Sequence, residues 1–111
     1  MSRWLGRVLN RIRECAKAGK VRFTIKALRE LADLGPGFDE ADVVEVLRTL
    51  TREDSVGRFR SRQTGEWMYG FKPSMAATVV YVKVIVRGDC VVVSFHKDRD
   101  EQKENGNDQD R

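Results

Sequence analysis

The sequence predicts an α+β domain in which N-terminal helices pack on one face of a mainly antiparallel β-sheet. Three observations carry that prediction. Apolar residues recur at the helical period over residues 4–50. From Val56 onward the period drops to two. Two strand-like runs, residues 79–87 and 90–96, then flank Gly88-Asp89, a turn-forming pair suited to a hairpin.

The helices come first. Trp4, Leu5, Val8, Leu9, Ile12 and Cys15 form one apolar stripe, and Gly19 is placed to stop it. Arg3, Arg7 and Arg11 fall along one edge at i, i+4 spacing. Singly each reads as a solvated side chain, and together they could meet backbone phosphates. Thr24 can cap a second helix running to Leu34, with Ile25, Leu28, Leu31 and Ala32 inward, before Gly35-Pro36-Gly37 ends it. Asp39, with Asp42 three residues on, caps a third whose stripe is Val43, Val46, Leu47 and Leu50.

The strands follow. Arg58, Arg60 and Arg62 alternate with Gly57, Phe59 and Ser61, so three guanidiniums should project from one strand face. That pattern fits an edge strand kept soluble by charge as well as an RNA-binding edge. Gln63-Thr64-Gly65 turns the chain into a strand over residues 66–72, with Trp67, Tyr69 and Phe71 inward and Pro73 ending it. The hairpin closes the sheet, for a total of about four strands.

A two-residue loop at Gly88-Asp89 would pair Arg87 with Cys90. Counting back sets Val86 against Val91, Ile85 against Val92, Val84 against Val93, Lys83 against Ser94, Val82 against Phe95, and Tyr81 against His96. One face then carries Val80, Val82, Val84, Val86, Val91, Val93 and Phe95, a buried wall. The other, apolar only at Ile85 and Val92, becomes Lys83, Ser94, Tyr81 and His96 toward its far end. A cation, two hydroxyls and the only histidine of the chain are the parts of an acid–base site. Such groups also occur on ordinary solvated faces, so the hairpin alone does not decide.

Composition bounds the class. With 111 residues, 41% hydrophobic and 34% charged, the chain suits one domain, placed at residues 1–97. Residues 98–111 hold no apolar side chain, and three basic against six acidic residues. That segment is expected to be a disordered tail. Without it the net charge of +4 becomes +7 on the body, which favours a polyanionic partner, nucleic acid before membrane. Cys15 and Cys90 make no metal-ligand pattern and fit as small hydrophobes in a reducing, cytoplasmic setting. No signal peptide, membrane span, metal or cofactor is expected.

Four blocks carry a resemblance. They are Val21-Arg22-Phe23-Thr24-Ile25-Lys26-Ala27-Leu28, Gly65-Glu66-Trp67-Met68-Tyr69-Gly70-Phe71-Lys72-Pro73, Val80-Tyr81-Val82-Lys83-Val84 and Val91-Val92-Val93-Ser94-Phe95. In this order they resemble the MqsR family, the motility quorum-sensing regulator toxins of bacterial type II toxin–antitoxin systems. The resemblance implies a RelE-like α+β fold. It also implies a metal-independent, sequence-selective endoribonuclease, an mRNA interferase that cuts single-stranded mRNA and is silenced by a cognate antitoxin, alone or in a small assembly with it.

The family's site draws on a basic residue before the central strands, a polar residue after the Trp, the Tyr of Tyr-x-Lys, and a basic residue after Val-Ser-Phe. Tyr81 matches the third, and His96 stands in the fourth position, where lysine is usual. Met68 departs from the expected glutamine. No basic residue matches within Asp54-Ser55-Val56-Gly57, where Arg58 or Arg60 is nearest. The expected catalytic set is therefore His96, Tyr81 and Arg58, with Lys72, Lys83, Arg60, Arg62 and Ser94 holding RNA. A non-catalytic RNA-binding relative and a protein-interaction module docking an acidic partner remain alternatives.

Overall fold

A computed structural model describes residues 3–98. Three helices precede most of the sheet, giving an α+β chain. They are α1 (Arg3–Ala18), α2 (Ile25–Asp33) and α3 (Glu40–Arg48), with a single 3-10 turn at Arg52–Asp54. The strands are β1 (Val21–Phe23), β2 (Ser55–Arg60), β3 (Trp67–Phe71), β4 (Ser74–Met75), β5 (Thr78–Val86) and β6 (Cys90–Lys97). Their order is β1-β6-β5-β3-β2, with β4 on β5. Every pairing is antiparallel except β1 with β6, which makes the sheet mixed.

Local chemistry sets the helix ends as expected. Gly19, with φ of +74°, adopts the left-handed conformation that closes α1. The Thr24 hydroxyl accepts from the Ala27 amide at 3.0 Å, and Asp39 and Asp42 exchange side-chain and backbone bonds in a capping box. Leu5, Leu9 and Ile12 of α1 join Val43, Leu47 and Leu50 and the inner sheet residues Phe71, Val80, Val82, Val84, Val92 and Phe95 in one core. Cys15 and Cys90 are buried free thiols, and burial pushes Cys90 up to about 12, so it packs as a protonated hydrophobe.

α2 differs from its expected stripe. Ala27 and Leu31 are buried, whereas Ile25 is 69% and Leu28 37% exposed, and Ala32 is exposed too. The reason lies in what α2 covers. β1 pairs only with Cys90, Val91 and Val92, so the edge of β6 beyond them needs other partners. The Thr24 amide donates to the Val92 carbonyl at 3.0 Å and its hydroxyl to the Val93 carbonyl at 3.2 Å. Glu30 Oε1 accepts from the Phe95 amide at 2.9 Å, and Lys26 Nζ donates to the Ser94 hydroxyl at 2.7 Å. A polar stripe therefore faces the sheet.

The hairpin also corrects its expected register. Val86 pairs with Cys90, which leaves a three-residue loop of Arg87, Gly88 and Asp89. Gly88 does not take the positive φ that a two-residue primed turn requires. A bulge then leaves Val93 without a partner, and from Lys83 with Ser94 outward the pairs are as counted, including Tyr81 with His96. On β6 the core residues are therefore Cys90, Val92 and Phe95, with Val91 and Val93 only half-buried.

Three smaller corrections follow. Arg62 lies in the turn after β2, not on the strand. Trp67 and Tyr69 are half-buried, and Phe71 alone of the three aromatics is fully enclosed. Asp98, counted with the tail, is 7% exposed and donates its amide to the Val79 carbonyl at 2.9 Å. The rest of the expected tail lies outside the described residues. No helix among the described residues is long and apolar enough to cross a membrane.

The α2 clasp yields a stability prediction. Glu30→Ala strands the buried Phe95 amide, and urea unfolding at neutral pH should show a loss of about 1–3 kcal/mol. Burial tends to raise the Glu30 carboxyl, but the Phe95 amide and Lys26 outweigh it and hold it below 4.5. A lowered carboxyl contributes fully above its unfolded value and loses that contribution as pH falls through the folded one. The gap between the wild type and Glu30→Ala should thus narrow in acid, and a widening gap would contradict the clasp.

The β4–β5 turn yields a second. Met75 pairs with Thr78, and the two loop residues, Ala76 and Ala77, have φ of +51° and +66°. This is the hairpin conformation that favours glycine or asparagine. Ala77→Gly should raise the unfolding free energy by about 0.5–1 kcal/mol, since relief of left-handed strain exceeds the entropy of a flexible residue. A lowered urea midpoint would show that the turn is not strained.

Candidate active site

Tyr81 and Lys83 alternate along β5 with Val80, Val82 and Val84, which are fully buried. They must therefore point to the face opposite the core. There the Tyr81 and His96 rings meet edge to face, centroids 5.5 Å apart and planes at 80°. Lys83 Nζ lies 5.8 Å from the Tyr81 ring centroid and Lys72 Nζ 5.9 Å. Lys72 is also 3.5 Å from an Asp98 carboxylate oxygen. A phenol and an imidazole are thus flanked by two ammonium groups on one open surface.

The His96 ring has a defined orientation. Its Nδ1 stands 2.8 Å from the Lys97 carbonyl. A carbonyl only accepts, so Nδ1 carries the hydrogen, and in the neutral ring the lone pair is left on Nε2. A cavity of about 310 Å³ opens beside His96, walled by Leu34, Phe38 and Met75, with Glu30 and Asp33 on its α2 side.

Gly70, which pairs with Lys83, lets the wall around Tyr81 close. A Cβ there would come 2.9 Å from Phe59 Cε2, 3.0 Å from Val56 Cγ2 and 3.2 Å from Tyr81 Cε1. This contact settles which residue of Asp54-Ser55-Val56-Gly57 reaches the Tyr81 face. It is Val56, an apolar one.

The arginines go elsewhere. Arg58 pairs with Tyr69 and Arg60 with Trp67. Tyr69 pairs with core-facing Val84 and stacks on Trp4 of α1 at 5.5 Å. Arg58 and Arg60 therefore lie on the helix side of the sheet, and the expected convergence of Arg58 with His96 does not occur. Strand parity is the reason, because Phe59 between them takes the Tyr81 side. Ser94, expected on the open face, is 2% exposed and its hydroxyl is taken by Lys26.

Of the expected site residues, the structure brings together His96, Tyr81, Lys83 and Lys72. It does not bring Arg58, Arg60 or Arg62 to them, and Ser94, though paired across the strands with Lys83, is enclosed with its hydroxyl held by Lys26. Sequence reasoning missed Lys26, Glu30 and the cavity beside His96. The Lys26–Glu30 pair at i, i+4 was a visible signal. Among the described residues no three His, Cys, Asp or Glu side chains could hold a metal ion.

The close packing at Gly70 can be tested. Gly70→Ala forces Phe59, Val56 or Tyr81 aside and should cost on the order of 1–3 kcal/mol in urea unfolding. Gly37→Ala, where nothing lies within 4 Å, should stay within about 0.5 kcal/mol. Equal effects of the two would show that Gly70 does not seat Tyr81.

Comparison with known proteins agrees with this arrangement of blocks. No curated protein sequence matches the chain. One family does, described as the motility quorum-sensing regulator, toxin of MqsA, and its match covers residues 7–97. That span runs from α1 through β6 and takes in Tyr81, Lys83 and His96, so the chain belongs to the MqsR toxin family.

Proposed function

We propose that this toxin is an mRNA interferase, a metal-independent, sequence-selective endoribonuclease that cuts single-stranded mRNA and so arrests translation and growth. The observation that carries the reading is the Tyr81–His96 pair between Lys72 and Lys83, on a chain whose family pairs a toxin with its antitoxin. RNA brings its own nucleophile, the 2′-hydroxyl. The protein has to move protons and hold charge.

His96 Nε2 takes the 2′-hydroxyl proton as the 2′-oxygen attacks phosphorus. The bond from phosphorus to the 5′-oxygen breaks, and Tyr81 protonates that leaving oxygen. Lys83 and Lys72 stabilise the charge that builds on the phosphate. The products are a 2′,3′-cyclic phosphate and a 5′-hydroxyl. Phe59, 38% exposed beside Gly70, offers a stacking face to a flanking base. Arg58 has no part in this set, because it stands on the other face.

One observation favours a second reading. Met68 stands where the family pattern has an amide, and the residue of Asp54-Ser55-Val56-Gly57 that reaches Gly70 is the apolar Val56, which suits a relative that binds RNA without cutting it. Cleavage of purified single-stranded RNA in EDTA separates the two. The enzyme reading expects cutting to survive the chelator and to leave 5′-hydroxyl ends. His96→Ala should lose on the order of 10²–10⁴-fold in rate while stability stays within about 0.5 kcal/mol. Wild-type cutting by His96→Ala, 5′-phosphate ends or a requirement for added Mg²⁺ would overturn it.

A further inference from the structure

The arginines that left the Tyr81 face form a group of their own. Arg58 Cζ lies 4.1 Å from the Trp67 ring centroid and 5.0 Å from that of Trp4, and Arg60 Cζ lies 4.1 Å from Trp67. Arg52 reaches the same end of α1, its Nη2 3.2 Å from where a Gly6 Cβ would stand. Arg7 is one turn along α1 from Trp4 and exposed. Two tryptophans and four arginines thus share the helix side of the sheet near β2.

Few of the described arginines are neutralised by a carboxylate. Arg22, Arg48 and Arg87 are each held by a carboxylate. Among the described residues Arg7, Arg52, Arg58 and Arg60 have none. Of the carboxylates near in sequence, Asp54 accepts from the Thr51 amide and hydroxyl, and Glu66, next to Trp67, is taken by Arg87 through bonds of 2.9 and 2.7 Å, which leaves Glu53. Arg60 Nη1 donates to the Gly65 carbonyl at 2.7 Å, and a guanidinium seated over indole keeps further N–H donors at its rim, which phosphate oxygens match.

We propose that this arginine–tryptophan ladder is a second RNA-contact surface, separate from the Tyr81–His96 face, which grips RNA lying outside the cleavage site. β2 explains how one strand of RNA reaches both. It is an outer strand of the sheet; its side chains alternate from Gly57 on, with Phe59 toward Tyr81 and Arg58 and Arg60 toward the helices, and the bulge before Gly57 puts Val56 on the Phe59 side. RNA folded over this edge meets the stacking face of Phe59 on one side and cations on the other. Guanidinium planes held on aromatic rings also stack with exposed bases, which an acidic peptide does not offer. The proposal shares with the cleavage reading only an RNA partner.

Binding, not cutting, tests it. The probes are 2′-O-methyl RNA, which supplies no nucleophile, as an oligomer of about 20 nucleotides and as a tetranucleotide. Fluorescence anisotropy across a salt series reads affinity and counterion release. Arg58→Gln with Arg60→Gln should weaken the longer RNA about tenfold and reduce the slope of log K against log salt by about 1. The tetranucleotide should bind as it does to the wild type. Arg7→Gln with Arg52→Gln, remote from the Trp67 stack, should weaken the longer RNA in the same direction and serves if the first pair fails to fold. Unchanged affinity and slope in the folded variants would overturn the proposal. So would an equal loss for the tetranucleotide, or intact RNA binding with loss only of antitoxin binding. A wild type that never cuts RNA but binds it through these arginines would sink the cleavage reading and leave this one standing.

Discussion

Beyond Val92, the β6 edge has no strand beside it among the described residues to satisfy its backbone groups. β1 covers three residues of it, and the remainder would expose backbone donors and acceptors beside a hydrophobic core. α2 answers with Thr24, Lys26 and Glu30, which bond to Val92, Val93, Ser94 and Phe95. A helix asked to do this turns polar groups inward and leaves Ile25 and Leu28 outside. It also fixes the strand that carries His96, immediately beyond the Glu30 bond to Phe95. Stability and site are joined at this seam.

The site itself follows from strand alternation on a sheet buried on one side. Val80, Val82, Val84, Val92 and Phe95 must face the helices, so Tyr81, Lys83 and His96 must face away. The same rule, applied at β2, sends Arg58 and Arg60 to the helix side. One physical rule thus assembles the acid–base groups and removes from them the guanidiniums. The charge beside Tyr81 comes instead from Lys72 and Lys83.

Much of this was legible in the sequence, for identifiable reasons. Thr24, Gly19 and the Asp39/Asp42 box act within a few residues, so reading them needs no tertiary structure. The Tyr81–His96 pairing was legible although the loop is one residue longer than counted. The bulge at Val93 absorbs the difference, and the far half of the hairpin keeps its register. β1 was not legible, because a three-residue strand with a parallel partner late in the chain leaves no periodic trace. Nor was the placement of Arg58, since it depends on a bulge between Ser55 and Gly57 and a six-residue loop from Ser61 to Glu66. The inward stripe of α2 failed for a related reason, since apolar periodicity cannot report a strand edge that needs hydrogen-bond partners.

In the proposed reaction RNA supplies the nucleophile and the Tyr81–His96 face moves the protons. A single 2′-deoxy substitution tests it most directly. The wild-type protein is given a short RNA with a mapped cleavage position, and the same RNA with that one 2′-hydroxyl removed, and single-turnover cutting is followed for both. The first should be cut and the second left intact at that position, while binding of the two is alike. Cleavage of the deoxy-substituted bond would mean that another nucleophile attacks the phosphate, and would overturn the proposed reaction.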